Sequence, residues 1–377
     1  MPCQKTPHNL HQKKKIQLSL LGKSKPIIIM SVQQIPTGIF IDGEEIIAIE
    51  LTNTKGTYVK IFNYGAIINK FIVKNAKGEE QDIVLGFETI EQYLDPEYIA
   101  NGNYLGAVVG RYANRIKNGS FSIGDETYKL AQTNGTETLH GGVVGFDKKV
   151  WDIVELDENE SFVTLEYESV DGEEGFPGNL VVGLTFELTE NDELILTYEA
   201  ETDRATAINL THHGYFNLSA TGESVSKHQQ QIFASNSLEQ NSNFCPTGKL
   251  LPVSGTPLDF TQLKEIGKDW NPDEGYDQTF VLDKEYGDLS LASKTTEHDS
   301  GLVLSVYTTE PVAHFYTAKW LKAKNGKGGK DYVGYGAFCV ETQHHPNAVN
   351  IPGFPTTILQ PEDLYTQTTI YKVSLNS

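Results

Sequence analysis

Segment 336–348, Gly-Ala-Phe-Cys-Val-Glu-Thr-Gln-His-His-Pro-Asn-Ala, contains residue types that can carry out acid–base chemistry. Its apolar beginning is typical of a strand, and Pro346 ends regular strand pairing. We therefore expect Glu341 to lie at the end of this strand, partly removed from water, where its carboxylate could act as a general base. An ordinary solvated glutamate fits the same pattern, so other segments must decide between the two interpretations.

Segment 209–218, Asn-Leu-Thr-His-His-Gly-Tyr-Phe-Asn-Leu, contains a candidate general acid. An imidazole with a pKa near neutrality is a natural proton donor. If the segment is extended, His212 and His213 point to opposite faces, so at most one of them faces a given pocket. A third histidine, His140, precedes two glycines. Because glycines permit unusual backbone angles and close approach of a ligand, we favour a functional role for His140 over core packing.

Segment 110–116, Gly-Arg-Tyr-Ala-Asn-Arg-Ile, could bind hydroxyl groups or a developing oxyanion through Asn114 and one arginine. Alternatively, Arg111 and Arg115 pair with surface acids of this acidic chain. Asp277, just before a predicted strand, is a further polar candidate. A turn aspartate that caps its own backbone would give the same pattern.

The net charge narrows the class of partner, and the cysteine content bears on the compartment and on metal sites. The chain has 377 residues and a formal net charge of −20. Nucleic acid and anionic membrane both require clustered Lys and Arg, so a neutral small molecule is the preferred partner. Cys3, Cys245 and Cys339 lack the spacing of a disulfide framework or zinc site, which indicates a reducing compartment. Because no convincing secretory signal is found, we expect a cytoplasmic location. No HExxH motif or similar spacing is present, and we predict no metal site.

The first 29 residues differ in composition from the remainder. They contain several lysines and no Asp or Glu, and the sign of the charge changes at Met30. We expect residues 1–29 to be a basic extension that is disordered or absent from the native product, and residues 30–377 to form a single domain. A secretory signal is weakly supported, and no apolar run approaches the roughly 20 residues of a transmembrane helix.

Strand periodicity dominates the chain from Ile35 onward. Short β-branched or aromatic runs alternate apolar with polar residues and are separated by turn residues. The predicted strands are 46–52, 58–62, 67–73, 162–170, 180–188, 193–200, 301–308, 314–317, 356–359 and 367–373. The only early helix that we predict lies near 88–94 and stops before Pro96. Because strands do not alternate with helices of 10–15 residues, we predict one large antiparallel β-sandwich with few short helices.

The polar segments and their order resemble those of the aldose 1-epimerases, also called galactose mutarotases. The resemblance extends from about Ile35 to Val373, and its motifs occur in the order of the family. These are the Asn-Arg pair of 110–116, Leu-His-Gly-Gly at 139–142, segment 209–218, Gly-Tyr-Asp at 275–277, and Phe-Cys-Val-Glu-Thr-Gln-His at 338–344.

The resemblance implies a mutarotase-type supersandwich that interconverts the α and β anomers of free hexoses such as glucose and galactose without a cofactor. Carried over by position, Glu341 matches the general base and His213 the general acid. Further matches are residues that hold sugar hydroxyls, namely Arg115, His140 and Asp277, with Asn114 beside them. Ring opening needs a base to take the O1 proton and an acid to protonate the ring oxygen, which suits one carboxylate and one imidazole.

Several positions depart from the family pattern. His212 stands where Asn is usual and Gly214 where Ser is frequent, and both flank the acid. His314, a further candidate for substrate binding, stands where Gln is frequent, which leaves the preferred sugar open. Glu362 replaces the glycine of a Pro-Gly-Glu turn, without an expected catalytic effect.

Three alternatives remain open from the sequence. One is an enzyme of the same fold that acts on a modified or phosphorylated hexose, which would favour several basic groups around the pocket. A glycosidase using Glu341 and Asp277 would need carboxyl groups about 5–5.5 Å or 6.5–9.5 Å apart. The last is a sugar-binding sandwich without catalysis. The sequence leaves the oligomeric state undecided between a monomer and a weak homodimer.

Overall fold

The computed structural model describes residues 30–157, 160–219 and 223–376. The predicted basic extension, residues 1–29, lies outside the described residues. Strands account for most of the regular structure, and the prediction of an all-β sandwich is confirmed. The strands are β1 (Ser31–Ile41), β2 (Glu44–Thr52), β3 (Tyr58–Phe62), β4 (Ile67–Lys74), β5 (Glu80–Asp82), β6 (Val108–Val109), β7 (Arg115–Ile116), β8 (Ser120–Ile123), β9 (Glu126–Lys129), β10 (Thr138–Leu139), β11 (Asp152–Asp157), β12 (Phe162–Ser169), β13 (Leu180–Leu188), β14 (Glu193–Thr202), β15 (Thr206–Ala207), β16 (Thr211–His212), β17 (Gln229–Ile232), β18 (Asn236–Gln240), β19 (Pro246–Pro252), β20 (Lys264–Glu265), β21 (Asp277–Val281), β22 (Ser290–Thr296), β23 (Leu302–Thr308), β24 (Val312–Tyr316), β25 (Cys339–Gln343), β26 (Ile358–Leu359) and β27 (Tyr365–Leu375).

Three antiparallel sheets form the body of the described chain. Their strand orders are β1-β2-β3-β4-β5, then β11-β12-β13-β14-β27-β23-β22-β17-β20, and finally β19-β18-β21-β24-β25. One continuous hydrophobic core contains side chains from all three sheets, such as Leu51, Leu184 and Phe315. Alternating strands bury one face against this core and turn polar residues outward, which is why the period-2 pattern predicted them.

Strand β27 occupies the middle of the nine-stranded sheet, although it is the last strand in sequence. It pairs antiparallel with β14 on one side and with β23 on the other. Tyr371 and Val373 of β27 are buried in the core between these neighbours. The two halves of the sheet are therefore joined through residues contributed by the last described part of the chain.

The sheet β19-β18-β21-β24-β25 carries three of the seven candidate polar residues, namely Asp277, His314 and Glu341. Across β21, β24 and β25, residues Thr279, His314 and Glu341 lie directly opposite one another in register. In an antiparallel sheet such partners point to the same face, so this register places an imidazole beside a carboxylate. Glu341 lies in the middle of β25 and is only 2 % exposed, which corrects the expectation of a half-solvated residue at a strand end.

Helical structure is limited to short segments in the described part of the chain. The α-helices are α1 (Ile90–Tyr93) and α2 (Pro96–Asn101), and the 3₁₀ turns are Lys117–Gly119, Phe146–Lys148, Glu173–Gly175, Val225–Lys227, Lys327–Gly329 and Ala348–Asn350. The helix expected near 88–94 corresponds to α1. Within the described ranges, no helix has the length and apolar character that crossing a membrane requires.

Helix α2 was not predicted. Pro96 was taken as the end of helical structure, but it occupies the first turn of a new helix, where its missing N–H costs nothing. The Asp95 carboxylate accepts hydrogen bonds from the backbone N–H groups of Glu97 and Tyr98, at 2.8 and 3.3 Å. The Asp-Pro pair is therefore a helix start, and it could have been recognised as one.

Candidate active site

A cavity of about 420 Å³ contains the polar residues that the sequence singled out. Each of the seven predicted site residues lines it: Asn114, Arg115, His140, His213, Asp277, His314 and Glu341. They come from distant parts of the chain, and the sheets bring them together. The cavity size is typical of sites for small molecules, which run from about 300 to 1,000 Å³.

Glu341 and His213 are adjacent in this cavity. Glu341 Oε1 lies 3.7 Å from His213 Nε2, which is close but too long for a hydrogen bond. Glu341 Oε2 and His213 Nδ1 have no hydrogen-bond partner among the described residues. A buried carboxylate and a buried imidazole with unused polar atoms can both act on a ligand placed between them.

His213 is held in place by its backbone and by two aromatic rings. Its N–H donates to Ala107 O at 2.8 Å and its carbonyl accepts from Gly106 N at 3.0 Å. Its ring stacks between Tyr215 (4.8 Å between centroids, 5° between planes) and Tyr104 (5.8 Å, 12°). Neither tyrosine was predicted as a site residue, because aromatic residues in a β-protein are mostly core and composition does not separate the two roles.

Burial lowers the pKa of His213 below its ordinary value, while the neighbouring Glu341 carboxylate opposes this effect. His212 lies outside the cavity, buried against Tyr371 at 6.2 Å between ring centroids, and burial lowers its pKa to about 3. The expectation that only one of the two adjacent histidines faces the pocket is therefore confirmed.

His140 and Asn114 form a pair of residues in the left-handed backbone region, with φ angles of 52° and 59°. The His140 N–H donates to Asn114 O at 2.9 Å, and the Asn114 N–H donates to His140 Nδ1 at 3.2 Å. Since Nδ1 accepts, the neutral ring carries its proton on Nε2, which makes His140 a hydrogen-bond donor. Such backbone conformations concentrate at functional sites.

The glycine after His140 permits a left-handed backbone conformation and a close contact between two segments of the chain. Gly141 has a φ of 88°, and a Cβ there would lie 2.0 Å from the carbonyl oxygen of Gly110. The Gly-Gly pair was predicted to admit a ligand. Its structural role at Gly141 is to let the segment carrying His140 pass close to the segment carrying Arg115.

The two arginines of segment 110–116 have different environments. Arg111 is buried away from the cavity, and it donates to Pro177 O (2.9 Å), Gly178 O (3.0 Å) and Ser169 O (2.9 Å). Burial lowers its pKa to about 10, so it remains charged at neutral pH. The alternative that it pairs with surface acids is wrong for Arg111, which instead stabilises the interior.

Arg115 lines the cavity and has donors to spare. Its Nε has no hydrogen-bond partner among the described residues, and its Nη1 makes only a long contact of 3.5 Å with Asn114 Oδ1. Its guanidinium lies 5.4 Å from the centre of the Phe244 ring. A planar cation with unused N–H groups in a cavity is suited to binding sugar hydroxyls.

His314 lies on β24, between the strands that carry the two carboxylates of the cavity. Its Nε2 lies 2.9 Å from Asp277 Oδ1, its Nδ1 lies 2.8 Å from Thr279 Oγ1, and Glu341 is its partner across the strands. Burial by itself would lower the pKa of His314, but the hydrogen bond to Asp277 and the charges of Glu341 and Asp277 outweigh it and raise the pKa. Asp277 is therefore bound to another side chain, and it is not a turn residue that caps its own backbone.

Three residues of the cavity could together hold a metal ion. Ligand atoms of His140, His213 and Glu341 lie within 4.8 Å of one another. His140 would have to give up the proton on Nε2, because Nδ1 is already occupied by the Asn114 N–H. His344, three residues after Glu341, does not line this cavity, and its Nδ1 lies 2.6 Å from Glu310 Oε2. The arrangement fits hydrogen bonding to hydroxyls better than metal ligation.

Comparisons with known proteins agree with this geometry. Residues 48–372 match the family described as Aldose 1-epimerase. The chain is 40% identical over 321 residues to the galactose mutarotase of Sus scrofa, covering 84% of this chain and 91% of that protein. It is 32% identical over 339 residues to the aldose 1-epimerase of Escherichia coli K12, covering 88% and 96%.

Solved structures show the same fold. A crystal structure of an aldose epimerase homologue from C. elegans superimposes with a TM-score of 0.80 at 31% identity, covering 88% of this chain and 99% of that one. The galactose 1-epimerase of Lactobacillus acidophilus NCFM also gives a TM-score of 0.80, at 27% identity, with coverages of 93% and 100%. On its sequence, fold and cavity, this chain belongs to the aldose 1-epimerase family.

Proposed function

We propose that this aldose 1-epimerase interconverts the α and β anomers of free hexoses, glucose and galactose among them, with Glu341 as the general base and His213 as the general acid. The observation that carries the assignment is the 3.7 Å separation of Glu341 Oε1 and His213 Nε2 inside a polar cavity. O1 and the ring oxygen are both bonded to C1, so the groups that act on them must lie close together.

The reaction follows from these two groups. Glu341 takes the proton of the O1 hydroxyl while His213 protonates the ring oxygen, and the bond between C1 and that oxygen breaks to leave an open-chain aldehyde. Rotation about C1–C2 presents the other face of the aldehyde. In closure Glu341 gives its proton back to O1 while His213 takes one back from the hydroxyl that re-forms the bond to C1, and the ring closes as the other anomer.

The other cavity residues orient the sugar in this proposal. Arg115 and the Nε2–H of His140 donate to hydroxyl oxygens, while the Asp277 carboxylate accepts from a hydroxyl. Burial by itself would raise the pKa of Asp277, but the hydrogen bond and charge of His314 outweigh it and lower the pKa. Asp277 is thus an ionised acceptor, and it is unsuited to be the protonated carboxylic acid of a glycosidase.

The phosphorylated-hexose alternative has less support. Of the three arginines, only Arg115 lines the cavity, because Arg111 is buried elsewhere and Arg204 binds Glu126 at the surface. A phosphate would meet the carboxylates of Glu341 and Asp277, whose two charges are only offset by the guanidinium of Arg115 and the protonated form favoured at His314. A neutral hexose fits this charge balance better.

Polarimetry of freshly dissolved α-glucose and α-galactose tests the proposal. We expect the wild type to accelerate the approach to equilibrium beyond the spontaneous rate. Removal of the base in Glu341→Gln should lower kcat/KM by roughly 10²–10⁴-fold. Glu362→Gln makes the same chemical change at an exposed turn and should have no effect. Equal activity of Glu341→Gln and wild type would refute the base assignment, and no acceleration by the wild type would refute the activity.

A further inference from the structure

Glu137 is a buried carboxylate, 2 % exposed, that does not line the catalytic cavity. Its two oxygens accept hydrogen bonds from three different residues. Oε2 accepts from the Asn118 N–H at 2.5 Å, and Oε1 accepts from the Thr136 hydroxyl at 3.1 Å and from the Asn243 side-chain amide at 3.3 Å. A buried carboxylate is costly unless it is hydrogen-bonded, so these donors identify the segments that Glu137 holds together.

Glu137 is fixed relative to the strand pair that carries Arg115. Asn118 lies in the 3₁₀ turn directly after β7, and Glu137 itself directly precedes β10, whose Leu139 is the register partner of Arg115. The backbone of Glu137 also closes a hairpin with Asn134, through two N–H to carbonyl hydrogen bonds of 3.0 Å. A movement of Glu137 relative to Arg115 would therefore require several of these bonds to break.

The Asn243 donor belongs to a different element, the turn that joins β18 to β19. The first and last residues of this turn are bonded to each other, because Asn241 Oδ1 accepts from the Cys245 N–H at 3.0 Å and the Asn241 N–H donates to Cys245 O at 2.9 Å. Towards the rest of the described chain, the turn forms hydrogen bonds only through Asn243 Nδ2. That amide donates to Glu137 Oε1 and, at 3.2 Å, to the Thr136 hydroxyl.

Phe244 is the residue of this turn that lines the catalytic cavity. Its φ angle is 60°, in the left-handed region that bulky residues rarely adopt. The centre of its ring lies 5.4 Å from the guanidinium of Arg115. Since Arg115 has only a long hydrogen bond to Asn114 among the described residues, the contact with this ring is the main one that orients the guanidinium.

We propose that Glu137 is a positioning residue for substrate binding, which acts through Asn243 and Phe244 to orient Arg115. The inference rests on the proposed function, in which Arg115 donates to sugar hydroxyls. The hydrogen bond between Glu137 and Asn243 joins the turn with the aromatic ring to the strand pair with the guanidinium. It thereby fixes the position of one group relative to the other.

Loss of this bond should affect binding more than the chemical step. The turn is closed by its own hydrogen bonds, so it can move as a unit when Asn243 is released. Arg115 would then keep its charge but lose its orientation, and its hydrogen bonds to the sugar would weaken. Glu341 and His213, which act at C1 and the ring oxygen, have no contact with Glu137 or Asn243 through which they would be displaced.

Reversal of donor and acceptor tests the role of this bond. In Glu137→Gln the remaining oxygen is needed by the Asn118 N–H, so the new NH₂ faces the NH₂ of Asn243. Asn243→Asp places two carboxylates opposite each other. The double variant restores one hydrogen bond with donor and acceptor exchanged. Glu362→Gln and Asn191→Asp make the same chemical changes at exposed turns and serve as controls.

Polarimetric assays with glucose should separate KM from kcat. Each single variant should raise KM roughly two- to tenfold, the effect of about one net hydrogen bond, and leave kcat within about twofold. The double variant should return KM to within about twofold of the wild type, and the two controls should leave it unchanged. In an Arg115→Met background Asn243→Asp should raise KM no further, because the residue through which it acts has been removed.

The possible outcomes decide the role of Glu137. An unaltered KM in both single variants overturns the inference. A raised KM that the double variant does not restore also overturns it, because the cause is then not the hydrogen bond. Calorimetric titration with glucose measures affinity without turnover. If the wild type does not accelerate mutarotation, the proposed function is refuted, while the glucose affinities of the same variants still decide whether Glu137 positions the sugar-binding arginine.

Discussion

His314 gives the catalytic cavity a charge that the common glutamine of the family would not. Its imidazole lies between the carboxylates of Asp277 and Glu341, and its raised pKa favours the protonated form. The resulting positive charge acts on the other cavity histidines. It contributes to lowering the pKa of His213, after the larger effect of burial.

The His314→Gln variant should move the pH dependence of catalysis in a defined direction. In the proposed mechanism His213 must be protonated to act as the acid, so the alkaline limb of kcat/KM against pH reports the pKa of His213 in the free enzyme. Glutamine removes the positive charge of His314, the pKa of His213 rises, and the alkaline limb moves to higher pH. Polarimetric rates across pH measure this shift.

A matched control for that experiment is His298→Gln, because His298 is 98 % exposed at its side chain and does not line the cavity. It should leave the profile unchanged. An alkaline limb that stays in place or moves to lower pH in His314→Gln would contradict the electrostatic role assigned to His314.

Arg111 and Arg115 should respond differently to the same substitution. Arg111→Met leaves several buried carbonyl and hydroxyl acceptors without a donor, at about 1–3 kcal/mol each, so the free energy of unfolding should fall by about 3 kcal/mol or more. Arg115→Met loses hydrogen bonds to substrate from a charged donor, worth about 1.5–3 kcal/mol, and kcat/KM should fall roughly 10- to 100-fold.

Chemical denaturation and polarimetry on both variants check the comparison. Each arginine variant is the control for the other, because the substitution is identical and the positions are four residues apart. A large loss of stability in Arg115→Met with unchanged activity would reverse the roles that we assign.

The polar residues of the cavity were candidates from the sequence because groups that are costly to bury unpaired stand beside apolar runs, and the resemblance to the aldose 1-epimerases then decided between the alternatives. Glu341, His213 and Asp277 are of this kind. Tyr104 and Tyr215 were missed, since a tyrosine that stacks on a catalytic histidine has the same sequence pattern as a tyrosine in the core. The sequence does not encode that distinction locally.

At the level of elements, the predicted bounds of the hairpin strands are close to the observed ones, whereas the two-residue strands were not predicted. Strands β3 and β13 have the predicted bounds because period-2 alternation continues over their whole length and turn residues flank them. The two-residue strand β7 carries Arg115, and its partner β10 carries Leu139, which also lines the cavity. They are too short for any periodicity, so only the tertiary fold determines them.

A prediction at the level of elements concerns the N-cap of helix α2. The segment 100–104, at the end of this helix, lines the catalytic cavity. Asp95→Ala removes the carboxylate that caps the first turn, which should lower the free energy of unfolding by about 1 kcal/mol. Asp95→Asn keeps an acceptor oxygen and should lose much less. Urea denaturation of the three proteins gives the comparison, and equal losses in both variants would show that the cap is not the cause.

For the whole molecule, the strong acidity and the neutral substrate have a joint consequence. The net charge of −20 neither attracts nor repels an uncharged hexose. We therefore expect kcat/KM for glucose to change by less than about twofold as screening shortens the Debye length from about 30 Å at 0.01 M to about 3 Å at 1 M salt.

Glucose 6-phosphate provides the contrast in the same assay. Were a phosphorylated hexose the substrate, its rate would rise with salt as the repulsion is screened. A rate for glucose that depends steeply on salt would contradict the absence of electrostatic steering.

The fold class follows from the pattern of the chain, but the order of strands in the sheets does not. Alternation identifies a strand without identifying its neighbours, and β27 pairs with β14 although residues 203–364 lie between the two strands in the sequence. That pairing depends on which edges fit together after the sheets have formed around their core.

The central place of β27 has a consequence for synthesis of the protein. Until residues 365–375 have left the ribosome, β14 and β23 each present a row of unpaired N–H and C=O groups, which are templates for pairing with other chains. The nine-stranded sheet can close only after β27 has emerged, since chains emerge at about 5–20 residues per second from the N-terminal end. Until then the nascent chain carries two open edges at once, and insertion of one strand covers both.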